Sequence, residues 1–353
     1  MRICYFGTFD PAYSRNKILI RGLEENGVEV LECRTEKGGV SKYFDLFKKH
    51  WKLRKGYDVM VVGFPGFQAM ILARFLTSKP IIFDAFVSMY DSVVLDRKQT
   101  SSRSLKAGYY WWLDKISMTL PEIVLFDTQS HIEYVIKDFG ISDNKFVRIF
   151  LGADTDVFYS KSKDEWKPKG SKFKVGFYGH FIPLQGVEYI VRSAKLLEDH
   201  EDIVFEIIGD GQEKQRILDL VNELDVKNIN FVGNVSLSEV AKIMSGCDVC
   251  LGIFGDTNKT KRVIPNKVYE CIALGKPVVT ADTPAIRELF DENDLFLTEI
   301  SSPESIAKTI LYIKENVEES ERKAEKAHTK LIEFVSIEKL GLELKKISDT
   351  FIK

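Results

Sequence analysis

Twelve short apolar runs, separated by longer amphipathic segments, constrain the fold of this 353-residue chain more than any other feature. Each run has the length of a strand, and most are followed by turn residues or by a helical pattern. Regular alternation of strand and helix builds a parallel sheet covered by helices on both faces, with ligands at the carboxyl ends of the strands. The predicted strands are 3–6, 28–32, 59–63, 81–84, 123–127, 146–150, 175–178, 204–208, 229–232, 249–253, 277–280 and 295–297.

A polar, charged stretch at residues 161–172, which contains Pro168 and Gly170, interrupts the alternation and predicts an interdomain linker. We therefore expect two doubly wound, Rossmann-like domains, at residues 1–160 and 173–335, that face a central cleft. Residues 336–353 carry apolar side chains at helical spacing and predict a helix that crosses back to the first domain.

Composition excludes several classes of protein. Lys+Arg 50 against Asp+Glu 52 gives a net charge of −2, which argues against a general nucleic-acid binder, and 44% hydrophobic residues argue against disorder. The five cysteines are too few and too apolar in context for a disulfide framework, so we expect a reducing, cytoplasmic compartment. The first residues predict a strand rather than a signal peptide, and no apolar run reaches about 18 residues, the length needed to span a membrane.

Glycine turns follow three consecutive predicted strands of the second domain. They lie at Gly179 to Gly186, at Gly209-Asp210-Gly211 and at Gly233. Glycines there permit tight turns and let the backbone approach an anion at a helix N-terminus. No third glycine completes the dinucleotide fingerprint after Gly211, which argues against a nicotinamide enzyme.

The segment 263–279 carries the most specific pattern. Pro265 suits the first position of a helix, so the N–H groups of Asn266 and Lys267 are free for an anion. Glu270 follows one turn later on the same side. This spacing fits a diphosphate and a ribose.

Together, these motifs resemble the donor-binding domain of the retaining nucleotide-sugar glycosyltransferases of the GT-B fold, glycosyltransferase family 4, over about residues 175–290. The resemblance implies that Glu270 binds the ribose hydroxyls and that the N–H groups of Asn266 and Lys267 bind the diphosphate. The full set of expected donor-site residues is Gly179, His180, Gln185, Gly209, Gly211, Val235, Pro265, Asn266, Lys267 and Glu270.

Two departures from the family pattern concern charge. Arg262 stands where the family has a glutamate that contacts the donor sugar, and His180 and Gln185 stand where it has a basic pair. A leaving diphosphate needs positive charge. We expect a basic loop to supply this positive charge in place of the missing residues: Lys259, Lys261, Arg262 and Lys267. Arg262 and Lys267 are the catalytic candidates. The alternative is that the loop is only solvated.

The residues that bind the acceptor are predicted on the first domain. Thr8, Arg15 and Asn16 lie in the segment after the first strand. They either contact the acceptor or belong to an ordinary polar loop. Asp84, with Asp91 after it, occupies the place of a family histidine near the reacting sugar. Asp84 is either a catalytic group that orients or deprotonates the acceptor hydroxyl, or a helix cap or turn residue.

A basic amphipathic helix is predicted from Ser41 to Lys55, with Phe44, Phe47 and Trp51 on one face. This face either lies on anionic lipid or buries its aromatic stripe in the core. Four histidines in charged helical contexts are expected to be exposed: His50, His131, His200 and His328.

The resemblance implies a retaining, metal-independent glycosyltransferase with no cofactor beyond its nucleotide-sugar substrate. We expect a saccharide or lipid-linked acceptor, no nucleic-acid partner, and a cytoplasmic location at the inner face of the membrane. Two alternatives stay open: a nucleotide-sugar 2-epimerase, and a non-catalytic sugar-nucleotide-binding protein.

Overall fold

A computed structural model describes residues 1–160 and 172–352, so the predicted linker lies outside the described residues except for Lys172. Twelve strands form two parallel sheets of six, each with helices, which confirms the predicted α/β fold. The chain divides into two compact units. Residues 1–152 and 334–353 form the first, and residues 153–333 form the second.

The sheet of the first unit has the strand order β2-β1-β3-β4-β5-β6. Its strands are β1 (Arg2–Gly7), β2 (Glu29–Arg34), β3 (Val59–Val62), β4 (Ile81–Phe86), β5 (Ile123–Phe126) and β6 (Phe146–Arg148). Its first five helices are α1 (Ser14–Glu25), α2 (Ser41–Leu53), α3 (Phe67–Leu76), α4 (Leu105–Thr119) and α5 (Gln129–Phe139). Every residue of β3 and β4 is buried, because helices cover both faces of the sheet.

The sheet of the second unit has the order β12-β11-β10-β7-β8-β9, the classical dinucleotide-fold order. Its strands are β7 (Phe173–Tyr178), β8 (Ile203–Ile208), β9 (Ile229–Val232), β10 (Val249–Leu251), β11 (Val278–Ala281) and β12 (Phe296–Thr298). The remaining helices are α6 (Val187–Leu196), α7 (Lys214–Leu224), α8 (Leu237–Ser245), α9 (Asn266–Ala273), α10 (Pro303–Glu315), α11 (Val317–Val335) and α12 (Ile337–Asp349). The topological switch point, where strand order reverses, lies between β7 and β10.

Helix α12 packs on α1 within the first unit. A side-chain carbon added at Gly22 would lie 2.8 Å from the Cα of Gly341, so both positions need glycine for the helices to cross this closely. Asn26 donates to the Glu338 carbonyl at 2.8 Å, and Lys345 donates to the Asn26 carbonyl at 2.9 Å. The start of the chain is thereby joined to its last helix.

Residues 153–160 belong with the second unit, although the sequence placed them in the first domain. The ring of Phe158 stacks on that of Tyr178, with centroids 6.1 Å apart. This contact with the end of β7 explains the grouping.

Candidate functional site

Three loops and one helix start converge at the switch point of the second unit. The loops after β7 and β8 are joined because Gly179 donates to the Ile208 carbonyl at 3.0 Å and Phe181 to the Asp210 carbonyl at 2.9 Å. The loop after β10 is joined to the β7 loop by a hydrogen bond of 3.1 Å from Phe254 to the Gln185 carbonyl. In open α/β sheets, this position is where ligands bind.

The glycines that the sequence singled out permit this close packing. A side-chain carbon at Gly209 would lie 2.0 Å from the carbonyl oxygen of Gly179. At Gly179, where φ is +149°, it would lie 2.7 Å from the Nζ of Lys267. Gly179 therefore leaves the space through which the Lys267 side chain passes.

Lys267 is buried, with 4% of its surface exposed. Its ammonium group donates to Oε1 of Gln185 and lies 3.7 Å from the ring centroid of Phe177. Burial holds the pKa of Lys267 well below its ordinary value. Since no carboxylate neutralises this ammonium group in these contacts, an anionic ligand that approached it would favour its charged form.

Glu270 lies one helical turn after Lys267, so both side chains leave the same face of α9. It is 3% exposed and accepts a hydrogen bond from the hydroxyl of Tyr178. Burial raises the pKa of Glu270 to about 8, and the negative charge of Asp154 adds to this shift. Near neutral pH, the carboxyl group can therefore both donate to and accept from a diol.

Helix α9 begins at Asn266, and Pro265 occupies the position before the helix, with φ −72° and ψ 150°, rather than the first helical position that the sequence predicted. Pro265 cannot offer an N–H group or a capping side chain. Pro265 accordingly makes no side-chain capping hydrogen bond at this helix start. Its first N–H groups and its dipole favour an anion.

The basic loop before α9 is only partly solvated. Lys259 is buried at 7% exposure, Lys261 is exposed, and Arg262 is half-buried at the end of a short 3-10 turn. Thr260, in the same turn, donates to the Leu184 carbonyl at 3.3 Å. The loop is therefore fixed against the β7 loop, and a fully solvated loop does not describe it.

The structure brings some predicted donor-site residues together and not others. Gly179, Gln185, Lys267 and Glu270 lie in one set of contacts, whereas His180 is exposed. Val235 follows β9, two strands away from β7. Phe177 and Tyr178 also contact this group but were not predicted as site residues. Their position at the end of β7, directly before Gly179, could have indicated them.

The acceptor-side predictions for Arg15 and Asp84 need correction. Arg15 lies in α1 and Asp84 lies within β4, so Arg15 is not in a loop and Asp84 is not a cap or turn residue. Both are fully buried, and the guanidinium contacts the carboxylate at 2.9 to 3.2 Å. Arg15 also donates to the carbonyls of Ile149 and Phe150, at 2.8 Å each. The pair cross-links α1, β4 and the segment after β6, and Asp84 presents no exposed oxygen to an acceptor.

Asn16 is also part of the scaffold rather than of a polar loop. Its amide donates to the Asp10 carbonyl at 3.0 Å and to the Phe64 carbonyl at 2.7 Å, and it accepts from the Tyr5 hydroxyl at 3.1 Å. Asp91 is buried, 4.0 Å from the Nε2 of His131. Of the predicted acceptor residues, Thr8 lines a cavity of the first unit.

Two histidines expected at the surface are buried instead. His131 places Nδ1 3.3 Å from a carboxylate oxygen of Asp127, and His50 places Nε2 2.8 Å from the Tyr57 hydroxyl. Each imidazole ring is buried with a polar partner, although charged residues surround it in the sequence.

The aromatic stripe of α2 is exposed, so the alternative of a buried stripe is wrong. Phe44, Phe47 and Trp51 are 68%, 47% and 56% exposed. Phe47 stacks on Trp51, with centroids 6.1 Å apart, and the Arg54 guanidinium lies 3.8 Å from the Trp51 ring centroid. Among residues 1–160 and 172–352, no helix is long and apolar enough to cross a bilayer.

Comparison with solved structures places the chain in the GT-B fold class. A crystal structure of Anabaena HepE with UDP-glucose superposes with a TM-score of 0.74, covering 99% of this chain and 100% of that one at 14% identity.

Residues 159–330 match the family described as glycosyl transferases group 1. An uncharacterised glycosyltransferase of Methanocaldococcus jannaschii is 24% identical over 184 residues, or 50% of this chain and 45% of the relative. The O-antigen biosynthesis glycosyltransferase WclY of Escherichia coli is 29% identical over 167 residues, or 46% and 44%. The chain thus spans less than half the length of these two relatives. Together, the findings support a glycosyltransferase.

Proposed function

We infer that this chain transfers a glycosyl group from a nucleoside diphosphate sugar to a hydroxyl group of an acceptor. The observation that carries this inference is the pair Lys267 and Glu270, one turn apart at the start of α9 and at the switch point of the second unit. A buried cation next to a helix N-terminus suits a diphosphate, and a protonated carboxyl group suits the ribose diol.

The contacts of Lys267 suggest how the leaving group is stabilised. Negative charge develops on the diphosphate as the bond to the sugar breaks, and preorganised donors stabilise it most where water is excluded. The Lys267 ammonium group and the first N–H groups of α9 supply such donors, with Arg262 as a further cation. The crystal structure of Anabaena HepE, which has a similar fold, contains UDP-glucose.

The motif resemblance also supports a finer proposal. The chain is a member of glycosyltransferase family 4, and it transfers the sugar with retention of configuration and without a metal ion. The acceptor is a saccharide or a lipid-linked glycan, and one curated relative acts in O-antigen biosynthesis. The exposed Phe44, Phe47 and Trp51, among the lysines of α2, favour contact with an anionic membrane surface on the cytoplasmic side.

A second candidate is a sugar-nucleotide-binding protein without transfer activity. Gln185, which stands where the family has a basic residue, already accepts a hydrogen bond from Lys267. The glycine loop therefore lacks, at Gln185, a cation that the family pattern places there. A 2-epimerase would need acids and histidines in the cleft to move protons, and the exposed position of His180 gives it no comparable support.

The first experiment is thermal unfolding with UDP, GDP, ADP and their sugar conjugates, each with EDTA and then with Mg²⁺. Ligand at about 100 times its Kd adds about 2.7 kcal/mol of stability. We expect the unfolding temperature to rise by several degrees with the nucleotides of one base, and to rise equally with and without metal. Nucleotide release and the anomeric proton coupling of the product then test transfer and retention. Binding without release in the presence of acceptors would favour the second candidate, and no shift with any base would contradict both.

A further inference from the structure

We propose that the site of Lys267 and Glu270 takes up a proton when a nucleoside diphosphate sugar binds, and that Lys267 receives it. This proposal rests on the proposed function and concerns the regulation of the same site. The proton comes from the buffer and forms an N–H bond at Nζ of Lys267. A neutral amine in the empty site thereby becomes an ammonium group beside the bound diphosphate, and donor affinity falls as the pH rises.

The contacts of Lys267 carry this inference, because none of them supplies a negative charge. Its buried side-chain nitrogen donates to Oε1 of Gln185. It lies 3.7 Å from the ring centroid of Phe177 and 5.7 Å from that of Tyr178. The part of the chain that the structure describes places no carboxylate in an ion pair with this nitrogen. An aromatic face attracts a cation less strongly than a carboxylate does, so burial favours the neutral amine.

Helix α9 acts on Lys267 in the same direction. Lys267 is the second residue of this helix, at the end where the helix dipole is positive. The dipole therefore disfavours an ammonium group there until an anion is bound. Burial without a counter-charge accordingly holds the pKa of Lys267 well below its ordinary value.

Gln185 can hold the nitrogen of Lys267 in either protonation state. Its amide oxygen accepts a hydrogen bond from an ammonium group or from a neutral amine, since both carry N–H donors. Its own backbone is fixed, because its N–H group donates to the Ile182 carbonyl at 2.9 Å and its carbonyl accepts from Phe254 at 3.1 Å. The nitrogen can thus gain a proton without leaving this position.

Other groups around Lys267 could also carry charge. They are Asp154, Tyr178, His180, Glu270, Cys271 and the basic loop that ends at Arg262. Cys271 opposes the shift in the pKa of Lys267, but its effect is smaller than that of burial. Burial and the charge of Asp154 raise the pKa of Glu270 to about 8, so at pH 7 its carboxyl group is mostly neutral and leaves Lys267 without a counter-charge.

A diphosphate changes this balance. It brings negative charge to the helix start, where it stabilises the ammonium form of Lys267. Because coupling between two ligands is reciprocal, a proton that strengthens diphosphate binding is itself held more tightly in the complex. The same negative charge favours the neutral carboxyl group of Glu270 and adds a smaller uptake of the same sign.

The test is titration calorimetry of the full chain with UDP-glucose at pH 7.5, in PIPES and in Tris buffer of equal ionic strength. These buffers release a proton with different enthalpies, so the difference between the two binding enthalpies gives the number of protons taken up. The diphosphate of UDP-glucose is a diester whose charge is constant near this pH. If thermal unfolding selects another base, GDP-mannose or ADP-glucose replaces UDP-glucose.

We expect the wild type to take up a measurable fraction of a proton, up to one for each ligand bound. Between pH 6 and pH 8.5, its Kd should rise by up to about tenfold per pH unit. Equal binding enthalpies in the two buffers would overturn the proposal, and so would a Kd that does not change with pH.

Four variants assign the proton. Lys267→Arg keeps a permanent positive charge and Lys267→Met has none, so both should lose most of the uptake. Glu270→Gln should bind more weakly but retain most of it. Lys308→Met is the matched control, since Lys308 is exposed on α10, and it should behave as the wild type. Undiminished uptake in Lys267→Arg would overturn the proposal. Loss of uptake in Glu270→Gln, or in the further variant His180→Gln, would assign the proton to that residue and overturn it as well.

The outcomes separate this proposal from the proposed function. If UDP-glucose binds without proton uptake, the coupling is wrong and the proposed function stands. If a nucleotide sugar binds with proton uptake but no acceptor receives the sugar, the coupling stands and the transfer activity is wrong. If no nucleotide sugar binds, both are wrong.

Discussion

The hydroxyl group of Tyr178 donates a hydrogen bond to the carboxyl group of Glu270. This contact joins the last residue of β7 to helix α9, the two elements that flank the switch point of the second unit. It also orients the carboxyl group before any ligand arrives. A ribose bound there would share that group with Tyr178.

Glu270→Ala should lower UDP affinity by about tenfold, because hydrogen bonds to the ribose would be lost. Titration calorimetry measures this directly. Glu318→Ala is a control at an exposed position of another helix, α11, with the same side-chain truncation. Unchanged affinity in Glu270→Ala would remove Glu270 from the donor site.

The raised pKa of Glu270 predicts a pH dependence of stability. The ordinary pKa is 4.5 and the folded value is about 8, so between these values the folded state holds more protons than the unfolded state. Stability contributed by the neutral carboxyl group is complete below pH 4.5 and is lost as the pH rises towards 8. In urea unfolding from pH 5 to pH 8, Glu270→Gln should lose less stability than the wild type. Parallel losses in the two proteins would contradict the shift.

Lys267→Met should preserve the fold but impair the donor site. The substitution removes an ammonium group whose burial already disfavours its charge, so stability should change little. Transfer should slow by roughly 10² to 10³, as for the loss of one preorganised donor to a developing anion. Lys261→Met tests an exposed cation of the neighbouring loop and should stay near the wild-type rate. If transfer were slowed equally in the two variants, the positive charge of the whole loop would be responsible. If it were slowed in neither, Lys267 would have no role in transfer.

Gly209→Ala should destabilise the chain by roughly 3 kcal/mol, because its side-chain carbon would meet the Gly179 carbonyl oxygen in a backbone region of positive φ. Gly233→Ala is the matched control, since open space surrounds an added carbon there. Chemical denaturation compares the two. A loss in Gly233→Ala as large as that in Gly209→Ala would refute the packing argument.

Asp84→Ala should cost about 3 to 5 kcal/mol, because it leaves the buried Arg15 guanidinium without its counter-charge. Replacing both residues, as Arg15→Met with Asp84→Leu, should recover part of that stability. UDP binding, which depends on the other unit, should persist in any variant that folds. A fully stable Asp84→Ala protein without transfer activity would instead restore Asp84 as a catalytic residue.

The strand pattern and the donor-site spacing could be predicted because both are local in sequence. Lys267 and Glu270 are three residues apart on one helix, and the glycine turns directly follow their strands. The pairing of Arg15 with Asp84 could not be predicted, because 69 residues separate them and the contact exists only after the sheet forms. His50 and Tyr57 are only seven residues apart, but they were missed for another reason: the charged neighbours of His50 in sequence predicted exposure, whereas its ring contacts the Tyr57 hydroxyl in the core.

The exposure of the aromatic face of α2 could not be predicted from the sequence either. Periodicity shows that Phe44, Phe47 and Trp51 share a face, but which face packs against the sheet depends on the neighbouring elements. Leu46 and His50 take the inward positions instead.

The close crossing at Gly22 and Gly341 has a consequence for synthesis on the ribosome. The second unit is continuous in sequence, from residue 153 to residue 333, whereas the first unit includes the last helix. The second unit is therefore synthesised completely before α12, on which the first unit depends. Until α12 has been synthesised, the face of α1 around Gly22 has no helix against it, so the packing of the first unit is completed only after α12 is made.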